Sequence, residues 1–168
     1  MLFPHNPPKD VQLAYADAEQ NFDFAGRYRT PEDLTITTDS GHTLDALLLI
    51  PENATAETPA PAIVVSHGWY NNREMQDLNY VEYARRGYVV LAISMYGHGD
   101  SEVIPSNTWW NDENNANGLY DGVKYVATLP FVDDSRIGVT GHSNGALACR
   151  EAVLQALAKV GFGGNDLL

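Results

Sequence analysis

The spacing of hydrophobic residues changes character near residue 60. Before that point, two β-rich runs, Leu34–Thr38 and Leu44–Ile50, flank the turn Asp39–His42. Strand-like runs joined by a short turn that contains glycine predict an antiparallel hairpin. After that point, continuous apolar runs alternate with segments of helical periodicity, which is typical of strands covered on both faces. The pattern therefore predicts an α/β domain.

Three buried strands and three helices are predicted in alternation after residue 60. The strands are Ala62–Val65, Tyr88–Met95 and Arg136–Thr140, and the helices are Asn72–Arg86, a segment with its apolar face between Ala116 and Ala127, and Asn144–Lys159. The third helix is apolar on most sides, so we expect it to be central. Alternation at this spacing predicts a mostly parallel sheet with helices on both faces. Ligands bind such sheets at the carboxyl ends of the strands.

Length and pattern together predict two segments. Residues 1–30 form a polar, proline-containing lead-in with a short helix predicted at Val11–Gln20, and residues 31–168 form a single domain. A chain of 168 residues is long enough to bury a core of its own.

Composition narrows the class of partner. The chain has 22 acidic and 10 basic residues, for a net charge of −12. A field of this sign repels phosphate backbones and anionic lipids, so we expect no nucleic-acid partner. No apolar run approaches the ~18 residues that span a bilayer, and the N-terminus lacks the pattern of a signal peptide. With a single cysteine, Cys149, the chain gives no sign of an oxidising compartment, and we expect a cytoplasmic protein.

The most specific motif is Gly141-His142-Ser143-Asn144-Gly145, between the third predicted strand and its helix. A tight strand-to-helix turn exposes a serine by straining its backbone, and it crowds the positions two before and two after that serine. Glycine occupies both crowded positions here. The following helix would point unpaired N–H groups at the space above Ser143, where they would stabilise negative charge. Ser143 is therefore the predicted nucleophile.

Two other polar loops follow predicted strands at the same edge of the sheet. Ser66-His67-Gly68-Trp69 comes after the first buried strand, and the loop from Tyr96 to Ser101 comes after the second. Side chains in and near these loops are candidates for lining a substrate pocket. They are His67, Tyr70, His98, His142, Trp109 and Trp110.

These three loops, with Val132-Asp133 ahead of the last strand, resemble the N-terminal half of an α/β-hydrolase over residues 31–160. The pattern is closest to the dienelactone-hydrolase and serine-aminopeptidase-like branches. The resemblance implies that Ser143 attacks an acyl ester, thioester or peptide bond, with an oxyanion hole formed by the backbone N–H groups of Asn144 and Trp69. It implies no cofactor and no metal. Dehalogenases and epoxide hydrolases of this fold carry an acidic nucleophile, so the serine favours acyl chemistry.

The chain departs from that family where the triad should be completed. The acid and the histidine of an α/β-hydrolase follow the nucleophile in sequence, yet no histidine follows His142. Asp133 and Asp134 precede their strand and lie at the wrong edge, and Asp166 lies in a glycine-rich tail. We therefore expect a domain truncated after the third helix, with the outer edge of Arg136–Thr140 open for pairing.

Three hypotheses follow from the sequence. The chain is part of a serine hydrolase, or it is a non-catalytic fragment or binding module that pairs through its open strand. Alternatively, another polypeptide or an unusual arrangement of His98 and Asp100 completes the active site. A His-x-Asp pair by itself does not define a metal site, because two ligands do not make a coordination sphere.

Overall fold

The computed structural model describes residues 28–29, 31–74, 77–104 and 112–159. The predicted helix at Val11–Gln20 and the pocket candidates Trp109 and Trp110 lie outside these ranges. The described ranges contain strands and helices in the order β1, β2, β3, α1, β4, α2, β5, α3. The strands are β1 (Glu32–Thr37), β2 (Thr43–Leu49), β3 (Ala60–Ser66), β4 (Val89–Ile93) and β5 (Val132–Gly141), and the helices are α1 (Asp77–Arg85), α2 (Asp112–Ala127) and α3 (Asn144–Lys159).

The strands form one mixed sheet in the order β1-β2-β4-β3-β5. The β1–β2 pair is the predicted hairpin, and β2 also runs antiparallel to β4. Strand β3 lies between two parallel neighbours, with Val64 opposite Leu91 of β4 and Val139 of β5. The predicted α/β architecture is confirmed, with β3, β4 and β5 as its parallel part.

Strand β4 and residues Ala60–Val65 of β3 are apolar because helices cover both faces of the sheet. On one face, Val64 and Leu91 belong to a core with buried residues of α2 and α3. On the other face, Val65 and Ala92 pack with Tyr80 and other residues of α1. Complete burial of a leucine such as Leu91 contributes about 1.5–3 kcal/mol.

Helix α1 begins later than predicted. Asn72 stands outside the helix, where its Oδ1 accepts a hydrogen bond from the N–H of Glu74 at 2.9 Å. The N–H of Arg73, between them, donates to the hydroxyl of Ser94 at 3.2 Å. These contacts hold the segment in a turn, so the predicted start at Asn72 is wrong.

The side of the sheet beyond β3 is less covered than the pattern predicts. Strand β5 is the last strand of the sheet within the described ranges. Helix α3 buries Ala148 and Ala152, but Leu147 and Val153 are 52% and 45% exposed. The predicted central helix is therefore covered on only part of its surface in the described structure.

No helix in the described ranges is long and apolar enough to cross a membrane.

Candidate active site

Ser143 lies at the turn between β5 and α3. Its φ is +53°, and it is exposed. A positive φ is uncommon for a residue with a Cβ and typically costs about 1–3 kcal/mol, so surrounding contacts must impose it. The N–H of Gly145 donates to the carbonyl of His142 at 2.9 Å, and that of Ala146 donates to the carbonyl of Ser143 at 3.0 Å. The helix therefore starts directly after the serine.

The glycines on either side of this turn leave no room for a side chain. A Cβ on Gly141 would overlap the backbone of Gly145. A Cβ on Gly145 would lie 2.5 Å from the carbonyl oxygen of Ser66 at the end of β3. Backbone atoms cannot move aside as a flexible side chain can, so these positions require glycine.

The loop after β3 lies against the Ser143 turn. A Cβ on Gly68 would lie 3.4 Å from Cβ of Ser143 and 3.3 Å from Cδ2 of His142. Trp69 follows, and its ring lies 6.5 Å from that of Tyr70 at an interplanar angle of 89°. Tyr70 is 77% exposed and has a φ of +60°, a second strained residue in this region. The structure thus brings the motifs after β3 and β5 together.

Asn144, the residue after Ser143, is the first residue of α3. Its side chain is buried, and Nδ2 has no hydrogen-bond partner among the described residues. The N-terminus of a helix presents backbone N–H groups without intrahelical partners, and its dipole favours negative charge there. Negative charge forming near Ser143 would meet these groups.

His67, at the start of the loop after β3, is buried completely, so it does not line an open pocket. Its Nδ1 donates to the carbonyl of Gly68 at 2.6 Å, and its Nε2 accepts from the N–H of Met95 at 2.9 Å. Burial lowers the pKa of His67 to about 4. The ring is therefore neutral at pH 7, and it ties the end of β3 to the end of β4.

His98 packs edge-on against His67, with ring centroids 5.0 Å apart. Its Nδ1 lies 3.3 Å from the carbonyl oxygen of Tyr96, and burial lowers the pKa of His98. Asp100 is exposed. The described residues contain no group of three or more side chains placed to bind a metal.

No histidine among the described residues forms a hydrogen bond with Ser143. His67 and His98 are engaged with backbone groups, and His42 lies 3.1 Å from the carboxylate of Glu102. His142 is exposed beside Gly68. A serine needs a base within hydrogen-bond reach to become a good nucleophile. The described site thus contains an exposed, strained serine and nearby helix N–H groups without such a base.

A buried polar cluster next to the loop after β3 is not among the residues expected from the sequence. It consists of Asp45 on β2, Ser94 after β4, and Arg73. The available signal was Asp45 itself, a single acidic residue within the apolar run Leu44–Ile50. A charge at such a position implies a partner, because an unpaired buried charge is very costly.

Comparison with known proteins identifies the family. The sequence model of the X-Pro dipeptidyl-peptidase (S15) family matches residues 40–158. No curated protein sequence matches the chain.

Several solved structures share the fold. A bacterial heroin esterase is 22% identical, with a TM-score of 0.63 over 90% of this chain and 46% of its own. Dipeptidyl peptidase 4 of Porphyromonas gingivalis is 22% identical, with a TM-score of 0.61 over 75% of this chain and 19% of its own. Est1E of Butyrivibrio proteoclasticus, solved with ferulic acid bound, is 27% identical, with a TM-score of 0.61 over 74% of this chain and 48% of its own.

The chain spans less than half the length of each of these three structures. The narrower resemblance to dienelactone hydrolases and serine aminopeptidases stays a prediction, because the matching family model is a different one. The family match covers more than half of the chain, and the solved neighbours agree with the sheet described above. The chain has the α/β-hydrolase fold and belongs to the X-Pro dipeptidyl-peptidase (S15) family.

Proposed function

We propose that the chain carries the nucleophile of a serine hydrolase that acts on ester or peptide bonds, and that this nucleophile is Ser143. The observation that carries the proposal is the exposed serine at φ +53° between a strand and a helix, in a turn crowded at Gly141 and Gly145. Strain of this kind at a polar residue is typical of functional sites. In the reaction, Oγ of Ser143 gives its proton to a general base and attacks the carbonyl carbon, the leaving group departs with that proton, and water hydrolyses the acyl-enzyme.

The oxyanion of the tetrahedral intermediate would be bound by the backbone N–H groups of Asn144 and Trp69. Support for Asn144 is its position at the start of α3. Support for Trp69 is the close approach of the preceding Gly68 to Ser143. Loss of one such donor typically costs about 2.7–4 kcal/mol of transition-state stabilisation.

The proposal also requires a general base. His67 and His98 are buried, and both have a lowered pKa, so they are poor candidates. We propose that the base comes from outside the described residues. In support, the solved hydrolases are more than twice as long as the part that this chain matches.

The substrate class is proposed from the family and from the loop beside Ser143. The family name specifies dipeptides ending in proline, and Est1E binds an aromatic acid. The exposed aromatic pair Trp69 and Tyr70 would suit an apolar or aromatic acyl group. Nitroanilides of Xaa-Pro dipeptides and nitrophenyl esters of acetic and cinnamic acids would compare the two classes directly.

The test of the nucleophile is covalent labelling by a fluorophosphonate, carried out on the protein with the residues that supply the base present and followed by peptide mass spectrometry. We expect label on Ser143 and none after Ser143→Ala. Ser135→Ala is the matched control, because Ser135 is an exposed serine near the other end of β5. A folded sample that takes up no label, or takes it up equally after Ser143→Ala, would disprove the proposal.

A second candidate function is a module that pairs through the outer edge of β5. The observations that favour it are the end position of β5 in the described sheet and the exposed Leu147 and Val153 on α3. An open strand edge offers unpaired backbone groups to another chain. Light scattering over a range of concentrations would show a dimer or a larger species, whereas a monodisperse monomer would argue against it.

A further inference from the structure

A buried cluster of polar side chains lies beside the proposed active site and takes no part in the proposed chemistry. We call Asp45, Arg73 and Ser94 the Asp45 cluster. The side chains of Asp45 and Arg73 are only 11% and 13% exposed. Ser94 is fully buried.

The Asp45 cluster joins three segments of the chain. The backbone N–H of Arg73 donates to Oγ of Ser94 at 3.2 Å, and the Ser94 hydroxyl donates to Oδ2 of Asp45 at 2.8 Å. Nη1 of Arg73 lies 3.3 Å from Oδ1 of Asp45 and donates to the carbonyl of Ala46. Nη2 donates to Asp33 of β1 at 2.7 Å. The side chain of Arg73 therefore reaches β1 and β2, while its backbone N–H is bonded to the segment after β4.

The loop between β3 and α1 is held at two points. At its start, the ring of His67 is bonded to Gly68 and to Met95. Further along the loop, the backbone N–H of Arg73 is bonded to Ser94 of the Asp45 cluster. Gly68, which lies against Ser143, and Trp69 come between these two points. Only three residues lie between Trp69 and Arg73 in sequence, so movement of Arg73 would shift the backbone of Trp69.

A buried ion pair is weak support for stability, since desolvation of both charges offsets much of their attraction. Its best-attested use is to select one geometry. An apolar pair at these positions would fill the space without fixing the direction of the backbone, because apolar contacts are not directional. The guanidinium fixes direction through several N–H groups in one plane.

We propose that Arg73 and Asp45 are positioning residues, which hold the backbone N–H of Trp69 in place for the oxyanion formed at Ser143. This proposal rests on the proposed function. It assigns no contact with substrate to either residue. Their effect on the reaction passes through the loop that contains Trp69.

The test compares the unaltered chain with Arg73→Met and with the double variant Arg73→Met/Asp45→Asn. Arg73→Met alone leaves Asp45 buried without its cation and is expected to lower stability. The double variant removes both charges and keeps an acceptor for Ser94, so its urea unfolding midpoint should stay close to that of the unaltered chain. It therefore remains informative if the single variant fails to fold.

Two measurements are made on each protein. The first is the rate of fluorophosphonate labelling at Ser143 as a function of reagent concentration. We expect the maximal rate to fall at least about 10-fold in the double variant, with little change in the concentration for half-maximal rate, because the donor acts in the transition state. The second is chymotrypsin cleavage after Trp69 and Tyr70, which we expect to rise at least about 10-fold as the loop loosens.

Arg86→Met is the matched control, because it removes the same charge from the exposed pair of Arg86 with Glu82 on the edge of α1. Arg73→Lys should restore part of the labelling rate. Unchanged labelling in the double variant would overturn the proposal, and so would an equal loss in Arg86→Met. Absence of labelling in the unaltered chain would instead overturn the proposed function and the positioning role with it, while cleavage would still show whether Arg73 holds the loop.

Discussion

The two sides of strand β3 differ in how completely they are covered. On the side of β4, the strand Val89–Ile93 is buried at every position, and β2 continues the sheet beyond it. On the side of β5, residues 134–136 are exposed, and α3 leaves Leu147 and Val153 open. We refer to these as the closed side and the open side.

The proposed chemistry divides between these two sides. Ser143 and Asn144 follow β5 on the open side, whereas the loop that contains Trp69 is held from the closed side through His67 and Arg73. Rigid support and exposure to a substrate are opposing requirements, since each contact that fixes a residue also covers it. Both requirements are met when the nucleophile lies on the open side and the contacts that hold the Trp69 loop come from the closed side.

The largest expected effect comes from Gly145, where the two sides meet. In Gly145→Ala, the new Cβ would lie 2.5 Å from the carbonyl oxygen of Ser66, and both groups belong to the backbone. We expect a loss of more than about 4 kcal/mol in the free energy of unfolding, or failure to fold. Gly41→Ala is the control for a glycine with open space around it, although its φ of +81° adds some strain. Urea unfolding would refute the prediction if the Gly145 variant were as stable as the control.

Truncation of two leucines tests how far the closed side and the open side differ in burial. Leu119 on α2 is fully buried, and Leu147 on α3 is 52% exposed. We expect Leu119→Ala to cost about 2–5 kcal/mol and Leu147→Ala to cost less than about 1 kcal/mol. Equal costs in urea unfolding would mean that the open side is covered in solution, for example by a second copy of the chain.

Acidification tests the closed side through His67. Its pKa is about 4 in the folded chain, below the value of 6.5 expected when unfolded. The unfolded state therefore binds a proton first as the pH falls, and stability is lost between pH 6.5 and 4 by about 3 kcal/mol from this group. His98 adds a loss of the same sign.

The measurement is the urea midpoint of the chain from pH 7.5 to 4, beside that of His67→Gln. The variant should lose less stability over this range, because it has no imidazole to protonate at this position. Identical pH profiles for the two proteins would contradict the neutral, buried state of His67.

The smallest expected effect is a gain in stability on the open side. Ser143→Gly relieves the strain of φ +53°, because glycine adopts positive φ readily. We expect a gain of up to about 1 kcal/mol in urea unfolding, together with complete loss of fluorophosphonate label. Ser143→Ala serves as the comparison, since it removes the hydroxyl but keeps the Cβ. A destabilised Ser143→Gly would show that the turn is held by the serine side chain.

Local pattern predicted the parts of the fold that depend on neighbouring residues in sequence. Helix α3 has the predicted bounds, because the largely apolar segment after Gly145 is longer than a strand. Helix α1 begins later than the pattern predicts, since Asn72 is as good a cap for a turn as for a helix. The bond from Arg73 to Ser94, a residue distant in sequence, favours the turn.

The candidate site shows the same division. Ser143 could be found from its glycine neighbours, because a tight turn between strand and helix imposes them locally. The protonation state of His67 could not be predicted from the sequence, because its neutral ring depends on burial and on the N–H of Met95. The role inferred for Arg73 also needs the coordinates, since its partners come from β1, β2 and the segment after β4.

The sequence by itself determined the alternation of strands and helices, the crowded turn at Ser143 and the edge of the sheet where the polar loops meet. These follow from interactions within a few residues and from the handedness of parallel connections. The tertiary structure alone decided which charges pair, which histidines are neutral and which side of the sheet is open. Those properties depend on burial and on contacts between segments far apart in sequence, which hydrophobic periodicity does not encode.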